Sequence, residues 1–233
     1  MKKFYDIAKN YLFPINRSLT GQGVVKTLNI IKKEFPLLKI RRFKSGTKVY
    51  DWNIPPEWNL YDAYVIDKYN NKIIDFKKNN LHVFGYSIPI NKTLNKKKLF
   101  KNLYYLKKQP KAIPYITSYY KRRWGFCLSY NEFKKFNKKY LSTDKFKVLI
   151  ESSFKHNGYL NYGEIVLKGK SEKEILISTY ICHPSMANNE LSGTIVSMAL
   201  INYFYSKKLN KTIRFIFIPE TIGSIAYINK NLD

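Results

Sequence analysis

The chain has 233 residues, 45% of them hydrophobic and 16% aromatic, and a formal net charge of +26. That apolar content excludes a wholly disordered chain, and no apolar run approaches the about 20 residues that a membrane-spanning helix needs. The positive charge is nearly all lysine, spread along the chain, with arginine only at 17, 41, 42, 122, 123 and 214. The densest lysine cluster, Asn91 to Lys101, has the pattern of a solvated helix face, and no zinc-finger, homeodomain or RNA-binding aromatic signature accompanies it. A specific nucleic-acid partner is therefore the weakest reading, although charge of this size still attracts acidic polymers and anionic surfaces. The two cysteines, Cys127 and Cys182, make no disulfide framework and fit a reducing compartment.

From the N-terminus, Met1 to Asn10 has a basic start but lacks the apolar stretch of a signal peptide, so the expected location is cytoplasmic. Residues 1–40 read as helical. Val24, Val25, Leu28, Ile31 and Phe35 keep one apolar face, Thr20 is a candidate N-cap, and Pro36 ends the helix. The texture changes over 41–135, which is rich in Trp, Tyr and Pro. Short strand-like runs fall at 48–52, 63–67, 72–75 and 81–86, with a hairpin signal at Asn70-Asn71 and a small helix at 94–106. The α/β pattern resumes near 145 with strands at 146–151, 163–167, 175–181 and 213–218. These readings divide the chain into an α/β domain made of 1–40 and 136–233 and a nested β-rich domain over 41–135.

The last two strands carry the chemistry. An apolar run, 175–181, opens into a polar loop with His183, Asn188, Asn189 and Glu190. A helix pattern follows from Ser192 to Lys207, with apolar positions at Ile195, Val196, Met198, Ala199, Leu200 and Tyr203. A second apolar run, 213–218, ends in Pro219-Glu220-Thr221. Such a unit is almost always a right-handed crossover with parallel strands, and open α/β sheets bind ligands beyond the carboxyl ends of their strands. His183 and Glu220 are thus expected on one edge. His183 is a candidate zinc ligand, and Glu220 a candidate general base for water activation. Asn188, Asn189 and Glu190 offer further oxygen ligands or substrate contacts. The plainer alternatives are a loop histidine bonded to backbone, a first-turn carboxylate favoured by the helix dipole, and asparagines serving a turn. In the β-rich block, Asp62, Asp75, His82, Arg122, Arg123 and Trp124 are candidates to line a substrate cleft, and Arg122-Arg123 beside Trp124 and nearby tyrosines suit a carboxylate or a sugar face. Against that stands core packing for the aromatics and surface placement for the arginines. His82 reads as a hydrogen-bonded structural histidine and His156 as exposed. A catalytic role for Cys182 is not favoured, because no activated Cys–His geometry is evident.

Six stretches, in order along nearly the whole chain, carry a resemblance: 12–21, 45–52, 113–120, 123–127, 182–193 and 219–224. With them the sequence resembles the aminopeptidase-like proteins of bacterial polysaccharide-biosynthesis clusters (the DUF4910 and DUF2172 type), relatives of the M28 zinc peptidases. The resemblance implies an M28-like α/β mixed sheet with flanking helices and a nested β-rich insert, incomplete at the C-terminus because full-length relatives continue further. It implies that His183 is a metal ligand, that Asn188 stands where those peptidases carry a bridging aspartate, and that Glu220 is the general base. Ser185 stands in place of an aspartate that orients the histidine, and Thr221 in place of a ligating glutamate. A neutral Asn188 does not supply the charge that holds two cations close together, so one zinc or a rearranged site is expected in place of two. The implied activity is metal-dependent hydrolysis of an amide or peptide-like bond in a small-molecule or peptide-like substrate, linked to surface polysaccharide. The chain by itself is expected to be inactive. The alternative is a non-catalytic binding or accessory protein of a carbohydrate pathway that retains the fold.

Overall fold

The computed structural model describes residues 1–232. The chain forms two compact units, Met1–Glu57 with Lys155–Asp233, and Trp58–Phe154. The boundary falls at 58, whereas the change of sequence texture falls at 41. The difference lies in the strand Lys39–Lys44, which pairs antiparallel with Tyr159–Leu167 in the first unit, Lys39 opposite Glu164 and Lys44 opposite Tyr159.

The first unit is built on a four-stranded mixed sheet. Its order is Lys39–Lys44, Tyr159–Leu167, Lys211–Ile218, Ser171–Tyr180. The Lys211–Ile218 strand is central, antiparallel to Tyr159–Leu167 and parallel to Ser171–Tyr180. Its side chains alternate between two cores, as a strand covered on both faces requires. Phe215 and Phe217 pack with Val24, Leu28 and Ile31 of the helix Gln22–Glu34 and with Met198 and Ile201 of the helix Ser192–Phe204. Ile216 and Ile218 pack on the other face with Leu160, Tyr162, Ala226 and Tyr227.

Several local expectations change. Thr20 does not cap the helix that starts at Gln22; Gly21 occupies the cap position and the Thr20 hydroxyl bonds to the Pro56 carbonyl at 3.5 Å. The Ser171–Tyr180 strand is not buried through its length. It is an edge strand, and Ile175 and Leu176 are 46% and 52% exposed. In the Ser192–Phe204 helix the buried stripe is Thr194, Ser197, Met198 and Ile201, and Val196 and Tyr203 are exposed. Small hydroxyl residues share the buried face there, so apolar spacing alone misplaces it.

The second unit holds a sheet of order Lys72–Asp75, Glu57–Ile66, Lys145–Lys155, Ile90–Asn95. The run 146–151 therefore pairs with Ile90–Asn95 and does not join the α/β sheet. The Asn70-Asn71 hairpin is present between antiparallel Glu57–Ile66 and Lys72–Asp75, with Asn70 at φ 68°. Residues 81–86 are not a strand; a 3₁₀ turn spans Asn80–His82, and Val83 makes one isolated bridge to Phe126. The helix expected at 94–106 is only Lys96–Phe100, because Asn95 caps it and the strand Leu103–Tyr104 follows. Aromatic packing of Phe126, Phe136, Tyr140 and Phe146 fills the core. No helix among the described residues is long and apolar enough to cross a membrane.

Candidate functional site

The parallel pair Ser171–Tyr180 and Lys211–Ile218 ends in register, Tyr180 opposite Ile218. The Ile181 N–H still donates to the Ile218 carbonyl at 3.2 Å, and the Glu220 N–H donates to Cys182 Sγ at 3.3 Å. The two loops are thus joined at their first residues, which brings His183 and Glu220 to one sheet edge. The His183 side chain is 6% exposed, and its Nε2 lies 3.7 Å from Glu220 Oε1 and 3.9 Å from Cys182 Sγ. Glu220 is 42% exposed, the accessible member of the group.

Glu190 is the opposite kind of carboxylate. Its side chain and that of Arg17 are both 0% exposed, and Arg17 Nε donates to Glu190 Oε1 at 2.6 Å. Glu190 Oε2 accepts the Cys182 N–H at 3.0 Å and the His183 N–H in a shorter bond, and lies 3.0 Å from His183 Nδ1. Arg17 also donates to the carbonyls of His183 (3.0 Å) and Leu12 (2.5 Å). Buried charges persist when paired and bonded in this way. The Asn189 amide nitrogen is 3.3 Å from the same Nδ1. One ring nitrogen cannot serve both; the carboxylate is the stronger partner, so Nδ1 is the donor to Glu190 and Nε2 faces Glu220 and Cys182.

Two close approaches at glycines, one to backbone and one to a side chain, fix these loops. A Cβ on Gly23 would lie 2.0 Å from the Asn16 carbonyl oxygen, so the first turn of the Gln22–Glu34 helix rests directly on the segment that carries Arg17. A Cβ on Gly193 would lie 2.5 Å from Thr179 Oγ1, so the Ser192–Phe204 helix starts flush against the strand leading to His183. Strain is stored on both sides of the site. Ser185 and Thr221 have φ of 49° and 53°; a non-glycine residue held there, the β-branched Thr221 above all, costs on the order of 1–3 kcal/mol.

The remaining candidates lie as follows. Asn189 and Glu190 face His183, and the Tyr180 hydroxyl donates to Asn189 Oδ1 at 3.2 Å. Burial first, then the charges of Glu220 and Glu190, push the Tyr180 phenol up, which keeps it a donor. Asn188 sits on the π-helical turn Ala187–Leu191 and lines an apolar cavity of about 600 Å³ with Tyr5, Phe13, Leu191 and Ile195. Arg123 and Trp124 belong to the second unit; the Arg123 guanidinium lies over the Phe84 ring at 5.1 Å, and Trp124 packs against that unit's aromatic core. His82 is buried with Nδ1 at 2.8 Å from the Cys127 carbonyl, and His156 is exposed. Burial, then the Glu190 charge, push the Cys182 thiol well up, so it is protonated and not a ready nucleophile. Arg17 and Tyr180 do not emerge from sequence reasoning about the site. The available signal for Arg17 is rarity, an arginine where this chain otherwise uses lysine.

The donor set can be tested against zinc. Cys182, His183 and Glu190 place potential donor atoms within 4.8 Å of one another. With Glu190 engaged by Arg17 and backbone, an imidazole nitrogen and a sulfur remain, beside an accessible carboxylate. Nitrogen and sulfur donors suit one zinc ion; the set does not provide the acidic bridge of a two-metal centre.

The mixed α/β sheet and its flanking helices have the architecture of peptidase (M28-like) folds. The Bacillus subtilis zinc aminopeptidase BSAP aligns with TM-score 0.62 at 13% identity over 97% of this chain and 63% of its own. An M28 peptidase precursor of Shewanella amazonensis aligns with TM-score 0.61 at 10% identity, over 100% and 68%. At such identity the likeness establishes the fold alone. The chain belongs to the family described as a domain of unknown function, DUF4910, which it matches over residues 5–233. It is 47% identical over 222 residues to a Clostridium acetobutylicum protein named "Putative polysaccharide biosynthesis protein with aminopeptidase-like domain", across 95% of this chain and 50% of that one. A crystal structure of a protein from the same organism, called a "putative peptidase", superposes with TM-score 0.93 at 46% identity over 100% of this chain and 53% of its own. The chain thus spans about half the length of these relatives.

Proposed function

We propose that the Cys182–Glu190 loop and Glu220 form a metal-dependent hydrolytic centre for an amide or peptide-like bond in a small-molecule or peptide-like substrate. The observation that carries this reading is the placement of Glu220, accessible and 3.7 Å from the Nε2 of a buried histidine whose Nδ1 faces Glu190. Zinc, when bound there, supplies Lewis acidity toward a carbonyl and acidifies water. His183 offers Nε2 as a ligand. Glu190 holds the ring and its tautomer, the role that a carboxylate plays behind a metal-bound histidine. Glu220 takes a proton from attacking water and returns it to the leaving amine. The tie to polysaccharide biosynthesis rests on the kinship with the clostridial protein. A second reading is a binding protein that retains the fold without turnover. Ser185 and Thr221 favour it, since neither supplies a carboxylate beside His183.

The test is elemental analysis of the zinc-supplied protein beside His183→Ala. Stoichiometric zinc that disappears in the variant supports the centre. A wild type without zinc moves the function to binding alone.

A further inference from the structure

We infer that Cys182 is a metal ligand, paired with His183 Nε2, and that the site takes a single thiophilic cation. The inference deepens the metal-centre reading and rests on it. Three observations lead to it. First, Glu190 is excluded as a ligand although it is nearest to the ring, because Oε1 is held by buried Arg17 and Oε2 by two backbone N–H groups and His183 Nδ1. Second, that arrangement turns Nε2 toward Cys182 Sγ, 3.9 Å away. Two donors at zinc distances, about 2.3 Å for sulfur and 2.0–2.1 Å for nitrogen, lie about 3.6 Å apart around a tetrahedral ion. The pair therefore needs to close by only a few tenths of an ångström. Third, the Glu220 N–H donates to Sγ at 3.3 Å, which ties the ligand loop to the loop of the general base.

The thiol is protonated without a metal. On binding, its S–H bond breaks, the proton leaves to solvent, and a sulfur–metal bond forms; the local charge of the cation drives this exchange. His183 contributes a lone pair and no proton. A thiolate–imidazole pair prefers zinc or cobalt to magnesium or calcium. It also accounts for the absence of acidic residues at 185 and 221: Glu190 takes over the orienting role, and sulfur supplies the negative charge on the ligand.

The experiment is a cobalt(II) titration of the zinc-free full chain, followed by absorption, for wild type, Cys182→Ser and the control Cys127→Ser. Wild type and C127S are expected to bind one cobalt with the intense near-ultraviolet band of thiolate-to-cobalt charge transfer. C182S is expected to lose the band and to bind about 10–100-fold more weakly, the loss that changes to supporting residues at metal sites already cause. Cobalt bound by the wild type without the band, or a band that survives in C182S, overturns the ligand assignment and leaves the metal centre standing. No cobalt bound by any of the three proteins overturns both. Retention of the band in C127S shows that loss in C182S is not a general effect of replacing a buried cysteine.

Discussion

Each unit contains a carboxylate with a fully buried side chain, and the two are held in different ways. In the second unit, Asp67 accepts the N–H groups of Tyr69 (2.9 Å) and Asn71 (2.8 Å), the Asn71 amide (3.3 Å) and the Tyr140 hydroxyl (2.6 Å). The nearest cation, Lys139, is 3.8 Å away and 57% exposed, and so contributes little. In the first unit, Glu190 is paired with a guanidinium as buried as itself, 173 residues distant in sequence. Asp67 finishes a turn with neutral donors that are mostly its neighbours. Glu190 joins two distant segments around a histidine. Local chemistry suffices to shape a hairpin; a site that fixes a ring nitrogen calls on a remote charge.

The largest effect is expected at Arg17. Arg17→Met leaves Glu190 buried and uncompensated, which costs about 3–5 kcal/mol. Urea unfolding should show the loss, and Arg17→Met with Glu190→Gln should recover part of it because no buried charge remains. Equal losses in the single and double variants would mean that the pair contributes packing rather than charge compensation. The corresponding change in the second unit is Asp67→Asn, expected to cost about 2 kcal/mol at neutral pH. Burial alone would raise the Asp67 carboxyl, but bonds from Tyr140, Asn71 and Tyr69 hold it below its ordinary value. A folded value below the unfolded one gives stability that is present above the unfolded pKa of about 3.9 and is lost as pH falls through the folded value. Urea midpoints of D67N should therefore fall less than those of the wild type on going from pH 5 to pH 3. Parallel acid losses in the two proteins would show that Asp67 is not held ionised by its turn.

The same contrast governs what the sequence reveals. The Asn70-Asn71 turn is legible because three of the four hydrogen bonds described for the Asp67 carboxylate come from Tyr69 and Asn71, within five residues. The crossover from Ser171–Tyr180 to Lys211–Ile218 is legible because strand handedness leaves little choice, and it brings His183 and Glu220 to one edge. Arg17 is not legible from periodicity, since its partner is reached only through the packing of the Gln22–Glu34 helix on residues 16 and 17. A compositional trace exists all the same. Among six arginines in a lysine-rich chain, Arg17, Arg41 and Arg214 each pair with a glutamate, and Arg42 and Arg123 lie over aromatic rings. Apolar spacing misplaced the buried face of the Ser192–Phe204 helix and hid the exposure of Ile175 and Leu176, because the pattern does not encode which strand forms the edge.

A smaller effect tests how locally the second unit is organised. Ser129 caps the helix Tyr130–Lys139 in a capping box: its hydroxyl accepts the Glu132 N–H at 3.2 Å, and Glu132 accepts the Ser129 N–H at 2.8 Å. Ser129→Ala should cost about 1 kcal/mol. Amide exchange should quicken in the first turn of that helix and stay unchanged at Cys182 and His183. Faster exchange at His183 would show that the two regions open together.

The smallest effect on stability, and the sharpest on function, is expected at Glu220. Unlike Glu190 it is 42% exposed, and its bond to the Cys182 sulfur is made by the backbone, which a side-chain change leaves in place. Glu220→Gln should therefore shift unfolding by no more than about 0.5 kcal/mol and leave zinc content unaltered. Glutamine keeps the size and the hydrogen-bonding reach of glutamate but cannot accept a proton, so any amide hydrolysis by the wild type should fall by about 10²–10⁴-fold. Glu190→Gln makes the opposite pattern: folding suffers first, because Arg17 loses its counter-charge. If E220Q proved as unstable as E190Q, the two glutamates would share one structural task, and the assignment of Glu220 as the proton carrier would fail. If E220Q were stable and still hydrolysed substrate, the proton would have to travel through another group at the same sheet edge, and the assignment of Glu220 as the proton carrier would fail as well.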